Sequence, residues 1–147
     1  MSNNSNNNPG HVLASAVDAE IAKFRQLQAD LQQLRQDLST VMGQETENEM
    51  VHMELELLKN NDDSTKVYKQ LGPVLLRQDL DEAKQTVTKR LEFIRSEKTR
   101  LEKKVQDTED KGNALAQKIQ QMQAGLQQTT ADAVRAIAQQ HGGQTAA

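Results

Sequence analysis

From residue 87 to residue 136, one position in every three or four falls on a common seam. It runs through Val87, Leu91, Ile94, Lys98, Leu101, Val105, Thr108, Gly112, Leu115, Ile119, Met122, Leu126, Thr129, Ala133 and Ala136. Steps of four and three alternate throughout, and most members are apolar or small. A 3.5-residue period held this long predicts a helix supercoiled against a partner helix, because an isolated helix would drift off the seam. A strand needs a period of two and is excluded here.

The first half of the chain carries a second seam with the same stepping: Leu13, Val17, Ile21, Phe24, Leu27, Leu31, Leu34, Leu38 and Val41. After polar Glu45 and Asn48 it resumes at Val51, Leu55 and Leu58. Asn60 to Asp63 should end this helix, since Asn and Asp side chains compete for backbone hydrogen bonds. Asp79 is suited to cap the second helix, with Glu82 at the position that reaches back. The predicted order is a tail over 1–11, helix over 12–60, hairpin over 61–78, helix over 79–138 and a flexible tail over 139–147. The first tail is rich in Asn and Ser.

Between the helices the sequence changes character. Val67, Tyr68, Leu71, Val74, Leu75 and Leu76 crowd around Gly72-Pro73. This reads as two short strands about a type II′ turn, with Gly72 supplying the positive φ and Pro73 its fixed one. The sequence leaves the isomer of the Gly72-Pro73 bond open. If the chain folds back here, facing residues should carry numbers summing to about 145. Leu58 then faces Val87, Leu55 faces Leu91, Val51 faces Ile94, and Lys98 lies within reach of Glu45 and Glu47. The fold class expected is mainly α, a long antiparallel intramolecular coiled coil with one central β-hairpin. A parallel homodimeric rod competes, but it needs neither a mid-chain hairpin nor matched arms.

With 35% hydrophobic residues, 27% charged, one Tyr, two Phe and no Trp, the chain fits narrow buried stripes better than a filled globular core. A two-stranded hairpin is marginal alone, and its open edges recruit further strands. No other segment reads as a strand, so the hairpin is expected to join an intersubunit β-barrel. The alternative is that it merely caps its own helices.

Several functions are disfavoured. A net charge of −3 with no basic run argues against nucleic acid and anionic membrane as partners. No cysteine is present, and the start lacks the pattern of a secretory signal. No stretch has the ~20 apolar residues of a membrane span. The glycines form no phosphate loop, and His11, His52 and His141 are scattered. The chain is therefore expected to be intracellular, non-enzymatic and free of metal, nucleotide or other cofactor.

The stretch VYKQLGPVLLRQDLDEAKQTVTKRLEFI, Val67 to Ile94, set between two heptad helices, resembles the prefoldin family, specifically its β class. The resemblance spans about residues 14–125, and its specific parts are Leu71-Gly72-Pro73-Val74-Leu75 and Lys89 to Ile94. It implies a cytoplasmic hexamer of two α-class and four β-class chains whose hairpins form a double β-barrel. It further implies that the distal coiled-coil ends hold unfolded actin and tubulin for delivery to the cytosolic chaperonin. A passive coiled-coil scaffold forming a homodimer is the alternative. On this chain the holding residues would be Leu13, Val17, Ile21 and Phe24 on one helix. On the other they would be Ile119, Met122, Leu126, Val134 and Ile137. The plainer reading is that these residues simply complete the helical seams, with Val134 and Ile137 one position off Ala133 and Ala136. Assembly would fall to Val67, Tyr68, Leu71, Gly72, Pro73, Val74, Leu75 and Leu76.

Overall fold

The computed structural model describes residues 8–58 and 65–143. Helix α1 spans Pro9–Glu56, strands β1 and β2 span Val67–Leu71 and Val74–Gln78, and helix α2 spans Leu80–Gly142. The chain divides into two compact units. One comprises residues 33–106; the other combines α1 up to Gln32 with α2 from Asp107.

α1 starts earlier than the expected Val12. Asn8 caps it: its Oδ1 accepts the Gly10 N–H at 3.2 Å, and its carbonyl accepts the Val12 N–H at 3.1 Å. Pro9 then occupies the first helical position, where a missing N–H costs nothing. Residues Pro9 to His11, assigned above to the tail, are therefore helical. At the other end the Leu58 N–H bonds to the Leu55 carbonyl at 3.2 Å, a tightened final turn. The helix thus ends at Glu56 rather than near residue 60, and the expected terminator Asn60 to Asp63 lies outside the described residues.

Asp79 caps α2 as anticipated. Its Oδ2 accepts the Glu82 N–H at 3.4 Å and its carbonyl accepts the Ala83 N–H at 2.9 Å. Asp81 and Glu82 place negative charge in the first turn, where the helix dipole favours it. The helix continues to Gly142, past the expected end at 138. No poor helix former intervenes in Arg135 to His141, and glycine arrives only at 142 and 143.

The hairpin pairs in the expected register. Val67 faces Gln78, Tyr68 faces Arg77, Lys69 faces Leu76, Gln70 faces Leu75 and Leu71 faces Val74, so each pair of numbers sums to 145. Gly72 has φ +59°, and no cis peptide occurs among the described residues. A type I′ turn would need positive φ at Pro73, which its ring forbids, so the turn is type II′.

Within residues 33–106 the two helices run antiparallel, Glu45 pairing with Lys98 and Glu56 with Lys84. The core there is Leu55, Ala83, Val87 and Leu91, with Leu58, Leu80 and Val67 packed against it. Leu55 and Leu91 meet as the fold-back predicts, and Val67 fastens the hairpin to the helix pair. Ile94 and Leu101 are buried further along α2. Val51, expected opposite Ile94, is instead 45% exposed. Polar residues inside the helices satisfy themselves locally: Asn48 donates to the Gln44 carbonyl at 2.7 Å and Thr46 to Met42 at 3.1 Å.

Candidate functional site

Two surfaces carry the residues singled out by sequence. The first is the hairpin. Alternation along paired strands places Val67, Leu71, Val74 and Leu76 on one face and Tyr68 and Leu75 on the other. Val67 is half-buried against the helices. The other five are exposed, from 49% at Leu71 and Leu76 to 63% at Leu75. Gln70 braces the turn by donating to the Gly72 carbonyl at 3.3 Å. Where the hairpin meets the helices a small groove of about 190 Å³ opens, lined by Val51, Leu55, Val67, Tyr68, Val87 and Arg90 among others. The hairpin therefore has one anchored corner and an otherwise bare apolar surface.

Electrostatics hold the helix pair beneath it. Glu45 lies in a fork, 2.6 Å from Lys98 and 3.2 Å from Arg95, while Arg95 also reaches Glu49 at 2.8 Å. The Lys98 hydrogen bond, helped by Arg95, holds the Glu45 carboxyl below the usual glutamate range. In return Glu45 raises Lys98. Glu47, the other expected partner of Lys98, has no ion pair among the described residues.

The second surface comprises the start of α1 and the far part of α2. The structure separates the nominated residues by exposure. Val17 and Ile119 are buried. Leu13, Ile21, Phe24, Met122 and Leu126 are half-buried. Val134 and Ile137 are open, at 61% and 56%. Glu20 is tied to Lys23 at 3.1 Å and to Lys118 at 3.2 Å, so the two helices are stapled here too. Those hydrogen bonds, Lys23 first, hold Glu20 below the ordinary carboxylate range. From Gln127 to Gly143 every residue of α2 is exposed.

Sequence reasoning missed a third set. Met42, Met50 and Met53 on α1, Leu57 just past its end and Phe93 on α2 are all at least half exposed. A search for the seam passes over them because they lie off it. Among the described residues no cluster of His, Cys, Asp and Glu could hold a metal ion, and no helix is long and apolar enough to cross a membrane.

Two long helices joined by one short hairpin with uncovered apolar side chains define the class of fold. The family model for "Prefoldin subunit" matches residues 18–126, and the chain belongs to the prefoldin subunit family, whose members are chaperone-complex subunits. The chain is 38% identical over 122 residues to a probable prefoldin subunit 6 from Caenorhabditis briggsae, covering 83% of this chain and 93% of that protein. Prefoldin subunit 6 from Homo sapiens is 37% identical over 120 residues, covering 82% and 91%. Among solved structures, the prefoldin beta subunit from Thermococcus strain KS-1 superposes with a TM-score of 0.66. That match covers 72% of this chain and 90% of the other at 24% identity, and it speaks for the fold.

Proposed function

We propose that this chain is a β-class subunit of a cytoplasmic hetero-hexameric prefoldin complex, assembling with two α-class and three further β-class chains. In this reading the hairpins pair into an intersubunit β-barrel. The free helix ends hold non-native actin and tubulin, without ATP, and pass them to the cytosolic chaperonin.

The observation that carries the reading is the bare hairpin. Five large apolar side chains on ten residues are about half exposed. Covering what remains is worth about 1 kcal/mol for each, a contribution to subunit contact that strand pairing on both edges must supplement to offset the cost of association. Strand pairing is the natural way to cover a hairpin whose outer edges carry free N–H and C=O groups.

Holding at the helix ends is supported by Val134 and Ile137, which are open, and by Phe24 and Met122, which are only half covered. Val17 and Ile119 contribute only when the terminal turns open. Each contact is weak, and several arms on one client multiply them through effective concentration.

The test is the double variant Leu71→Asp with Val74→Asp. Mixed with the other five subunits, it should be absent from the six-chain species seen by native mass spectrometry, while remaining helical by circular dichroism. A six-chain species containing the variant in undiminished yield refutes assembly through the hairpin.

A further inference from the structure

The outward face of α1 carries a stripe that neither the hairpin nor the helix ends explain. At 3.6 residues per turn, Met42, Met50 and Met53 fall within an arc of roughly 80° together with Leu57, one residue past the helix end. The Leu57 N–H still bonds the Met53 carbonyl at 3.3 Å. The arc lies opposite buried Leu55. Their exposures are 50%, 55%, 60% and 81%. Thr46 lies within the same arc, and its hydroxyl is spent on the Met42 carbonyl at 3.1 Å, leaving its methyl as the free part. The stripe is about 22 Å long.

Its charge setting is one-sided. Between Arg35 and Lys59 the chain has no Lys or Arg, but it has Asp37, Glu45, Glu47, Glu49, Glu54 and Glu56. Glu45, Glu49 and Glu56 are engaged by Arg95, Lys98 and Lys84 of α2. Glu47 and Glu54, one above the other on the far border of the stripe, have no ion-pair partner among the described residues. The surface is thus apolar, methionine-rich and bordered by unneutralised carboxylates.

We propose that this stripe docks a basic amphipathic helix of a partner protein. Large apolar side chains at i, i+3 or i+4 and i+7 of that helix lie along Met50, Met53 and Leu57, and its Lys or Arg residues meet Glu47 and Glu54. Methionine suits this role because its unbranched, polarisable chain repacks around different partners. The carboxylates select the sign of the partner and speed its encounter. The stripe length matches a partner helix of about fifteen residues. An anionic lipid surface is disfavoured by the same carboxylates.

The experiment uses the full chain, alone and within the assembled hexamer. The probe is a fluorescent peptide of about eighteen residues made of Leu and Lys, with Leu confined to one helical face. A scrambled peptide of the same composition and a Leu/Glu version serve as controls, and anisotropy is the readout. The Leu/Lys peptide should bind both forms of the protein, and neither control should. Met53→Gln with Leu57→Gln, and separately Glu47→Lys with Glu54→Lys, should each weaken binding at least about tenfold. All four positions are surface sites, and unchanged circular dichroism verifies folding. Tyr68→Gln with Leu75→Gln in the hairpin should leave the isolated chain's binding unaltered. Equal binding of the scrambled peptide overturns the proposal, as does undiminished binding by either stripe variant. Loss of binding on assembly also overturns it, because the stripe is then a contact between subunits.

Discussion

Gly72 and Gly112 show how one residue type does opposite work in different backbones. Gly72 sits at φ +59°, and a Cβ added there would meet nothing within 4 Å. Its requirement is purely conformational, so Gly72→Ala should cost about 1–2 kcal/mol with no steric term. Amide hydrogen exchange across β1 and β2 is the suitable measurement, and protection there should fall about tenfold. Gly112 lies inside α2 with a helical backbone, and an added Cβ again meets nothing within 4 Å. Here alanine relieves a flexible unfolded state, so Gly112→Ala should stabilise by about 0.5–1 kcal/mol in thermal unfolding. Equal signs for the two substitutions would mean that the turn does not hold Gly72 in the left-handed region.

At the scale of elements, the α1–α2 pairing in residues 33–106 is pH-sensitive through the Glu45 fork. Glu45 is depressed by Lys98 first and Arg95 second. Its stabilising effect is therefore complete above the ordinary glutamate range and is lost as pH falls through its lowered value. Lys98 is raised, chiefly by Glu45, so the same contact is present below the ordinary lysine range and is lost as pH rises through the raised value. Unfolding midpoints from far-UV circular dichroism should thus fall at both limbs, and Glu45→Gln should flatten both relative to wild type. An unchanged difference between the two proteins across pH would rule out the fork as the sensor.

This pairing was legible in the sequence, because a turn fixed at Gly72-Pro73 sets the register of everything near it. The sum of 145 holds at every hairpin rung, and Leu55 and Leu91 share a core. The helix boundaries were less legible. Asn8-Pro9 is a cap signature, but it closes an Asn-rich run whose composition reads as a tail. Nothing between Arg135 and His141 breaks a helix, so the end anticipated at 138 had no residue behind it. Val51 obeys the seam period yet stays open, since it lines the groove beside Val67 and Tyr68, a gap that period alone does not reveal. The Met42 to Leu57 stripe lies off the seam, so the period that marks the buried face does not mark it.

For the whole molecule, the proposed function gives assembly and holding to separable parts. Removing residues 1–24 together with 122–147 takes away Leu13, Val17, Ile21, Phe24, Met122, Leu126, Val134 and Ile137 while sparing the hairpin and the Leu55–Leu91 core. The truncated chain should enter the six-chain complex normally, and that complex should lose suppression of aggregation of denatured actin in light scattering. Full protection by the truncated complex would show that the ends are not the holding sites.

The bare hairpin bears on abundance as well as on structure. A copy without siblings displays the same uncovered leucines that quality-control proteases recognise in damaged proteins. On the proposed assembly, a copy made in excess of its partners should be shorter-lived in pulse-chase labelling than an assembled one, and equal lifetimes would count against that role for the hairpin.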